Sequence, residues 1–281
     1  MRRVSLEATL PAEPELDELR DILAPQTPIF VSAPPGRSLG LLVDASVRIR
    51  KAGFEAVPHI AARSYPSREA LDDFLGAVSS EAGARRALVI AGDIASAAGP
   101  FADANSIIAT GLLQRHGIRE IGISGYPDGH PGLKRETLDL TLRQKLDTAE
   151  AANIAVQIVT QFCFDANRII AWLRSLRESG VSVPVRIGLA GPTSARGLAR
   201  YALRCGVRNS FSAALAGKAS QLFAQVSPRD IIDRLGEMPD LPSLGEVSAH
   251  LFSFGGLVRT ARWSSSVQTE LGAAPAQAGR I

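Results

Sequence analysis

Apolar runs of six to eight residues alternate with longer segments whose apolar positions recur every three or four residues. Eight runs read as strands: 3–9 (RVSLEAT), 28–33 (PIFVSA), 55–60 (EAVPHI), 86–92 (RALVIAG), 120–125 (EIGISG), 156–161 (VQIVTQ), 185–190 (VRIGLA) and 247–254 (VSAHLFSF). Several are rich in Val and Ile without strict polar alternation, the pattern of a parallel strand covered on both faces. The periodicity between them predicts helices over 38–52, 67–82, 103–116, 133–152, 166–179 and 194–205. Ser38 and Ser67 stand where caps belong, and HG at 116–117 and ESG at 178–180 read as helix stops.

Strand–helix alternation of this length predicts an α/β fold, a single (β/α)8 TIM barrel. A doubly wound open sheet is the rival. It favours a glycine-rich turn after the first strand, but here that strand runs into ATLPAEPE and the chain has no GxGxxG. Residues 206–246 carry further helical pattern, including SPRDIIDRLGEM, and read as extra helices before the last strand. The barrel is expected to occupy 1–264, with the Ala/Gly/Ser-rich tail 265–281 loosely ordered.

Composition narrows the class. Of the 281 residues, 46% are hydrophobic and 21% charged, ordinary values for a soluble globular protein. A net charge of +3 with no dense Lys/Arg run gives no electrostatic case for nucleic acid. No stretch approaches the ~18 apolar residues of a membrane span. The N-terminus lacks the apolar core of a signal peptide, so a cytoplasmic protein is expected. Cys163 and Cys205 are too few for a disulfide scaffold, and four histidines and two cysteines at scattered positions make no metal-ligand spacing.

In such a barrel the active site lies at the C-terminal ends of the strands. Those ends carry Glu7, Ser32, His59, Asp93, Ser124-Gly125-Tyr126 and Gln161. One polar group from each of six consecutive strands points to a shared site. Blander readings stand beside this one. Glu7 reads also as a solvated carboxylate, Asp93 as a turn or cap residue and His59 as a core histidine. His116 suits a helix C-terminus, His250 packs in or beside the final strand, and Cys163 is a core thiol. Gln161 follows a Val/Ile strand, and a buried amide left unbonded costs roughly 1–3 kcal/mol. Its partner is either a protein group or a ligand.

GISGYPDGHP (122–131), followed by RQKLDTAEAANIAVQIVTQFCFD (143–165), resembles the methylenetetrahydrofolate reductases. Their pattern is a YPE-x-HP segment, a Lys-containing helix and TQxxFD. The resemblance implies a barrel binding FAD at its mouth, reduced by NADH or NADPH, that passes hydride to 5,10-methylenetetrahydrofolate. It makes Glu7 and Asp93 the catalytic carboxylates, with Asp93 also near flavin and pterin, and Gln161 the pterin-binding amide. Its implied FAD contacts are Ser32, His59, Asp93, Tyr126, His130, Asp139 and Lys145. It also implies a homo-oligomer.

The chain departs from that pattern. EATLPAEP stands where a Phe-Phe-Pro-Pro run follows the glutamate, Ala91 where an arginine precedes Gly-Asp, and FSFGGLVRTARW where Leu-Asn-Arg is usual. An arginine lost beside a diphosphate removes a bidentate contact. The resemblance thus implies loosely held FAD, or direct hydride transfer from the nicotinamide. Two other classes compete: a methyltetrahydrofolate-binding methyltransferase and a non-catalytic folate or flavin barrel. Retention of Glu7 together with Asp93 argues against pure binding.

Overall fold

The eight strand signals become eight parallel strands in the computed structural model, which describes residues 4–34, 36–194, 196–198, 225–238 and 240–273. They are β1 (Val4–Thr9), β2 (Pro28–Ser32), β3 (Glu55–Ala61), β4 (Arg86–Ile90), β5 (Glu120–Gly125), β6 (Ala155–Thr160) and β7 (Val185–Ala190). A short antiparallel pair follows, β8 (Thr193–Ser194) with β9 (Gln225–Val226), and then β10 (Val247–Phe252). Neighbouring strands pair in parallel, and β10 bridges β7 and β1 to close the barrel. The chain is a (β/α)8 TIM barrel, as its periodicity predicts.

The α-helices described from end to end are α1 (Glu13–Leu19), α2 (Leu39–Lys51), α3 (Arg68–Ser80), α4 (Ala104–Ile108), α5 (Leu112–Arg115), α6 (Arg135–Ala151), α7 (Ala166–Glu178), α8 (Arg229–Gly236) and α9 (Leu257–Ala273). Ser38 Oγ accepts from Gly40 N and Ser67 Oγ from Ala70 N, both at 3.2 Å, so each caps the helix expected of it. Such caps contribute about 1 kcal/mol each. None of the described helices is long and apolar enough to cross a membrane.

The structure departs from the expectations in three places, and parts of others lie outside the described residues. Helix α1 was not anticipated; Pro14 opens its first turn, Ala12 N donates to Glu15 Oε2 at 3.0 Å, and Leu16 and Leu19 are buried. The helix expected over 103–116 is two, because Gly111 adopts φ +74° between α4 and α5. The segment expected to be loose is helical as far as Ala273, because Thr260, Ser264 and Val267 make a buried stripe along α9. Most of the helix expected at 194–205, residues 206–224 of the extra material and residues 274–281 lie outside the described residues.

Alternate residues of a strand share a face, and the inward face of this barrel is layered. At the N-terminal end Arg86 binds Glu55 at 3.0 Å and Glu120 at 3.2 Å. Above this plug Phe30, Val57, Leu88 and Val159 form an apolar layer, with Arg186 lying 6.0 Å from the Phe30 ring centre. The larger core fills the space between sheet and helices. The next inward positions, at the C-terminal end, are Glu7, Ser32, His59 and Gln161.

Candidate active site in the barrel mouth

The mouth opens into a cavity of about 800 Å³ lined by Glu7, Ser32, His59, Asp93, Ser124, Tyr126 and Gln161, with Arg37, Phe162 and Phe252 among the remaining walls. Six of the nine residues singled out by sequence therefore share one space. His130, Asp139 and Lys145 do not line it.

Glu7 stands against two imidazoles. Its Oε2 lies 3.4 Å from His250 Nε2 and 3.6 Å from His59 Nε2. Burial works to raise the Glu7 carboxyl, but His59, His250 and a hydrogen bond from Ser32 outweigh it and hold the group below its ordinary range. A raised value, the simplest way to make Glu7 an acid, is not what the free protein provides. Burial pushes His59 downward, against the pull of Glu7 and Asp93, so its neutral form is favoured.

Sequence reasoning missed His250. The ring is fully buried on β10, with Nδ1 3.0 Å from Ser5 Oγ, and it meets Phe30 and Phe252 edge-on at 4.7 and 4.9 Å. Strand parity was the available signal. Ser5 pairs with His250 and Glu7 with Phe252, so both positions share Glu7's inward face.

Asp93 is exposed at the cavity edge, on a turn that Gly92 makes possible. Gly92 has φ +91°, and a Cβ there would sit 3.0 Å from that of Ala61. Arg63 braces the same loop, donating to Ile94 O at 3.2 Å and Ala102 O at 2.8 Å.

Gln161 is half-buried at the end of β6, its backbone N–H bonded to Gly125 O at 2.9 Å. The residue also has an interaction within the protein, so its burial alone does not demand a ligand. Phe162 is buried and packs edge-on against Phe164, Phe252 and Phe254 at 4.9–5.6 Å, which anchors the strand end. Cys163 is buried, with its Sγ 3.6 Å from Asp165 O; Cys205 lies outside the described residues. His116 pairs with Asp72 on α3, away from the mouth.

The residues expected around FAD divide. Ser32, His59, Asp93 and Tyr126 line the cavity, and His130 stands against the Tyr126 ring at 5.3 Å. Lys145 is buried behind the wall, with Nζ 3.4 Å from both Ser124 O and Ser124 Oγ, and burial lowers it to about 8. Asp139 is exposed on α6 and pairs with Arg135 at 3.3 Å, so the structure does not bring it to the site. A helix residue facing outward cannot reach the barrel axis, and sequence spacing alone did not resolve which face it occupies. With Ala91 in place of an arginine as well, this set suits a flat ring but does not fit FAD as a whole.

The sequence model of the family described as Methylenetetrahydrofolate reductase matches residues 41–217. The 5,10-methylenetetrahydrofolate reductase of Pectobacterium carotovorum subsp. carotovorum is 27% identical over 197 residues, covering 67% of this chain and 62% of its own length. Methylenetetrahydrofolate reductase 2 of Saccharomyces cerevisiae is 33% identical over 72 residues, 25% of this chain and 11% of the yeast protein. The chain thus spans less than two thirds of the length of these relatives. Among solved structures, an uncharacterized protein from Clostridium thermocellum that binds two copies of 5-methyl-5,6,7,8-tetrahydrofolic acid superposes with TM-score 0.61 at 11% identity, over 96% of this chain and 94% of that one. Dihydropteroate synthase from Thermus thermophilus, in complex with 6HMPPP, gives TM-score 0.52 at 16% identity over the same shares. These two likenesses speak to the fold. The family match covers more than half of the chain and contains both GISGYPDGHP and TQFCFD, and the chain belongs to the methylenetetrahydrofolate reductase family.

Proposed function

We propose that this chain is an oxidoreductase of one-carbon metabolism that interconverts 5,10-methylenetetrahydrofolate and 5-methyltetrahydrofolate, with NADH or NADPH as hydride partner. The observation that carries the reading is the presence of Glu7, Asp93 and Gln161 around one cavity. The reaction needs a proton, a stabilised cation and an oriented pterin, and these three side chains supply one function each.

Reduction begins with the methylene carbon bridging two folate nitrogens. Glu7 gives a proton to one of them, whose bond to the methylene carbon breaks, and a cationic iminium remains on the other. Asp93 stabilises that cation, and Gln161 offers both a donor and an acceptor to the amide-like pterin edge. Hydride then adds to the iminium carbon to give the methyl group. Glu7 must bind a proton before this step. A folate filling the mouth expels water and strengthens the burial that already opposes ionisation of Glu7, so folate binding takes up a proton.

A direct transfer of hydride from nicotinamide to folate is favoured over a flavin relay by one observation: Asp139 and Lys145 lie outside the cavity. No step is therefore routed through FAD. Family membership supports a small folate substrate, a cytoplasmic setting and a homo-oligomer.

The test is to mix purified protein with 5,10-methylenetetrahydrofolate and NADH or NADPH, follow nicotinamide absorbance, and record the visible spectrum. Turnover without flavin bands, and without response to added FAD, is the expected result. Turnover that requires FAD restores the relay. Methyl transfer from 5-methyltetrahydrofolate without nicotinamide oxidation replaces the reductase with a methyltransferase.

A further inference from the structure

Two imidazoles press on the same oxygen of Glu7, and they are held differently. His59 Nε2 has no hydrogen-bond partner, and at 3.6 Å from Glu7 it is too far for a good bond. His250 is fixed at both ends: Nδ1 meets Ser5 Oγ at 3.0 Å and Nε2 meets Glu7 Oε2 at 3.4 Å. Ser5 and His250 are both fully buried. A Ser–His–Glu string suggests a nucleophile, but the buried end here is the serine, and it is Glu7 that lines the cavity.

The serine hydroxyl has one proton and two acceptors in view, His250 Nδ1 at 3.0 Å and Ala249 O at 3.5 Å. The shorter contact is the better bond. When Ser5 donates to Nδ1, the ring carries its proton on Nε2, and that N–H donates to Glu7 Oε2.

We infer that His250, held in its Nε2–H tautomer by Ser5, is a positioning residue for Glu7: it occupies Oε2, leaves Oε1 to carry the transferable proton toward the folate, and stabilises the carboxylate left after transfer. The inference rests on the folate reading above and adds to it the groups that set the strength of the acid. The proton balance is simple. Oε1–H breaks, the folate nitrogen gains that proton, and the new negative charge is shared with the Nε2–H donor. His59 from β3, with Asp93 beyond it, and Ser32 from β2 are the other polar groups acting on this carboxyl.

Nitrogen-15 NMR of the histidine rings in the folate-free protein tests the hydrogen-bond claim without invoking any activity. The His250 signal, assigned by its loss in His250→Gln, should report a proton on Nε2 at neutral pH. A ring protonated on Nδ1 alone overturns the inference, even if the protein turns over folate. The pH profile of folate turnover tests the consequence. Turnover by an acid falls as pH rises through its pKa. His250→Phe removes the donor that favours the carboxylate, so this limb should move up by about one pH unit. His250→Gln, which retains an N–H donor, should restore it. Ser5→Ala should shift the limb the same way, and serves if His250→Phe does not fold. A folded variant whose limb stays with the wild type overturns the positioning role, whereas a wild type inert toward folate removes the folate reading and leaves the NMR result standing.

Discussion

The hydroxyl of Thr160 accepts a hydrogen bond from the backbone N–H of Gly188 at 2.8 Å. The β6–β7 pairing has register at only two positions, Ile158 with Val185 and Val159 with Arg186. Beyond them a side chain takes over, and Cys163 N donates to Gly188 O at 3.2 Å to hold the strand end in place. This explains why a buried Val/Ile strand ends in Thr-Gln: the threonine closes the barrel where the ladder thins, and Gln161 is delivered to the mouth.

Gly188 is therefore a sensitive position. A Cβ there would lie 2.2 Å from Thr160 O and 2.9 Å from Gln161 C. Gly188→Ala must push β6 away, and overpacking of this kind costs typically about 1–3 kcal/mol. Thermal melting should show the loss, and folate affinity should fall with it because Gln161 moves. Unchanged melting and unchanged affinity would mean that the two strands yield without consequence.

Gln161→Ala separates binding from stability. Leaving pterin groups unpaired should weaken folate binding by about 1–3 kcal/mol, roughly 5- to 150-fold in Kd. Isothermal titration measures this, with melting as the control. A lower melting temperature with unaltered affinity would assign Gln161 a structural role.

How much of this could be read in the sequence follows from periodicity. All eight barrel strands were legible because burial on both faces leaves continuous apolar runs, and six mouth residues were legible because strand C-termini converge in a barrel. His250 was not, since a histidine inside an apolar strand looks like packing until the register shows it facing Glu7. Asp139 was misplaced because its helix could be located without its orientation. Helix α1 was hidden because Pro11 and Pro14 interrupt a short segment, although Pro14 is at the position where a helix tolerates it. The depressed Glu7 carboxyl was invisible for the same reason as His250: it depends on groups from β2, β3 and β10.

Stability should depend on pH through His59. Its folded value lies below the ordinary 6.5, so between the two values the unfolded chain binds more protons, and stability rises with pH across that window. Glu7 acts in the same direction lower down: its stabilisation is present above 4.5 and is lost as pH falls through its depressed folded value. Melting temperature should thus drop as pH falls below about 6.5, and His59→Gln should flatten the upper part of that curve. An equally steep curve in the variant would show that His59 is not the group responsible.

Single-turnover reduction of 5,10-methylenetetrahydrofolate by the wild type and by Glu7→Gln, each pre-mixed with NADH or NADPH, tests the central claim most directly. The substitution keeps the shape and hydrogen bonding of Glu7 but removes its transferable proton. General acid catalysis contributes about 10²–10⁴-fold, so formation of 5-methyltetrahydrofolate should slow by that order while folate still binds. A wild type that forms no 5-methyltetrahydrofolate, or a variant that forms it at the wild-type rate, would contradict the account.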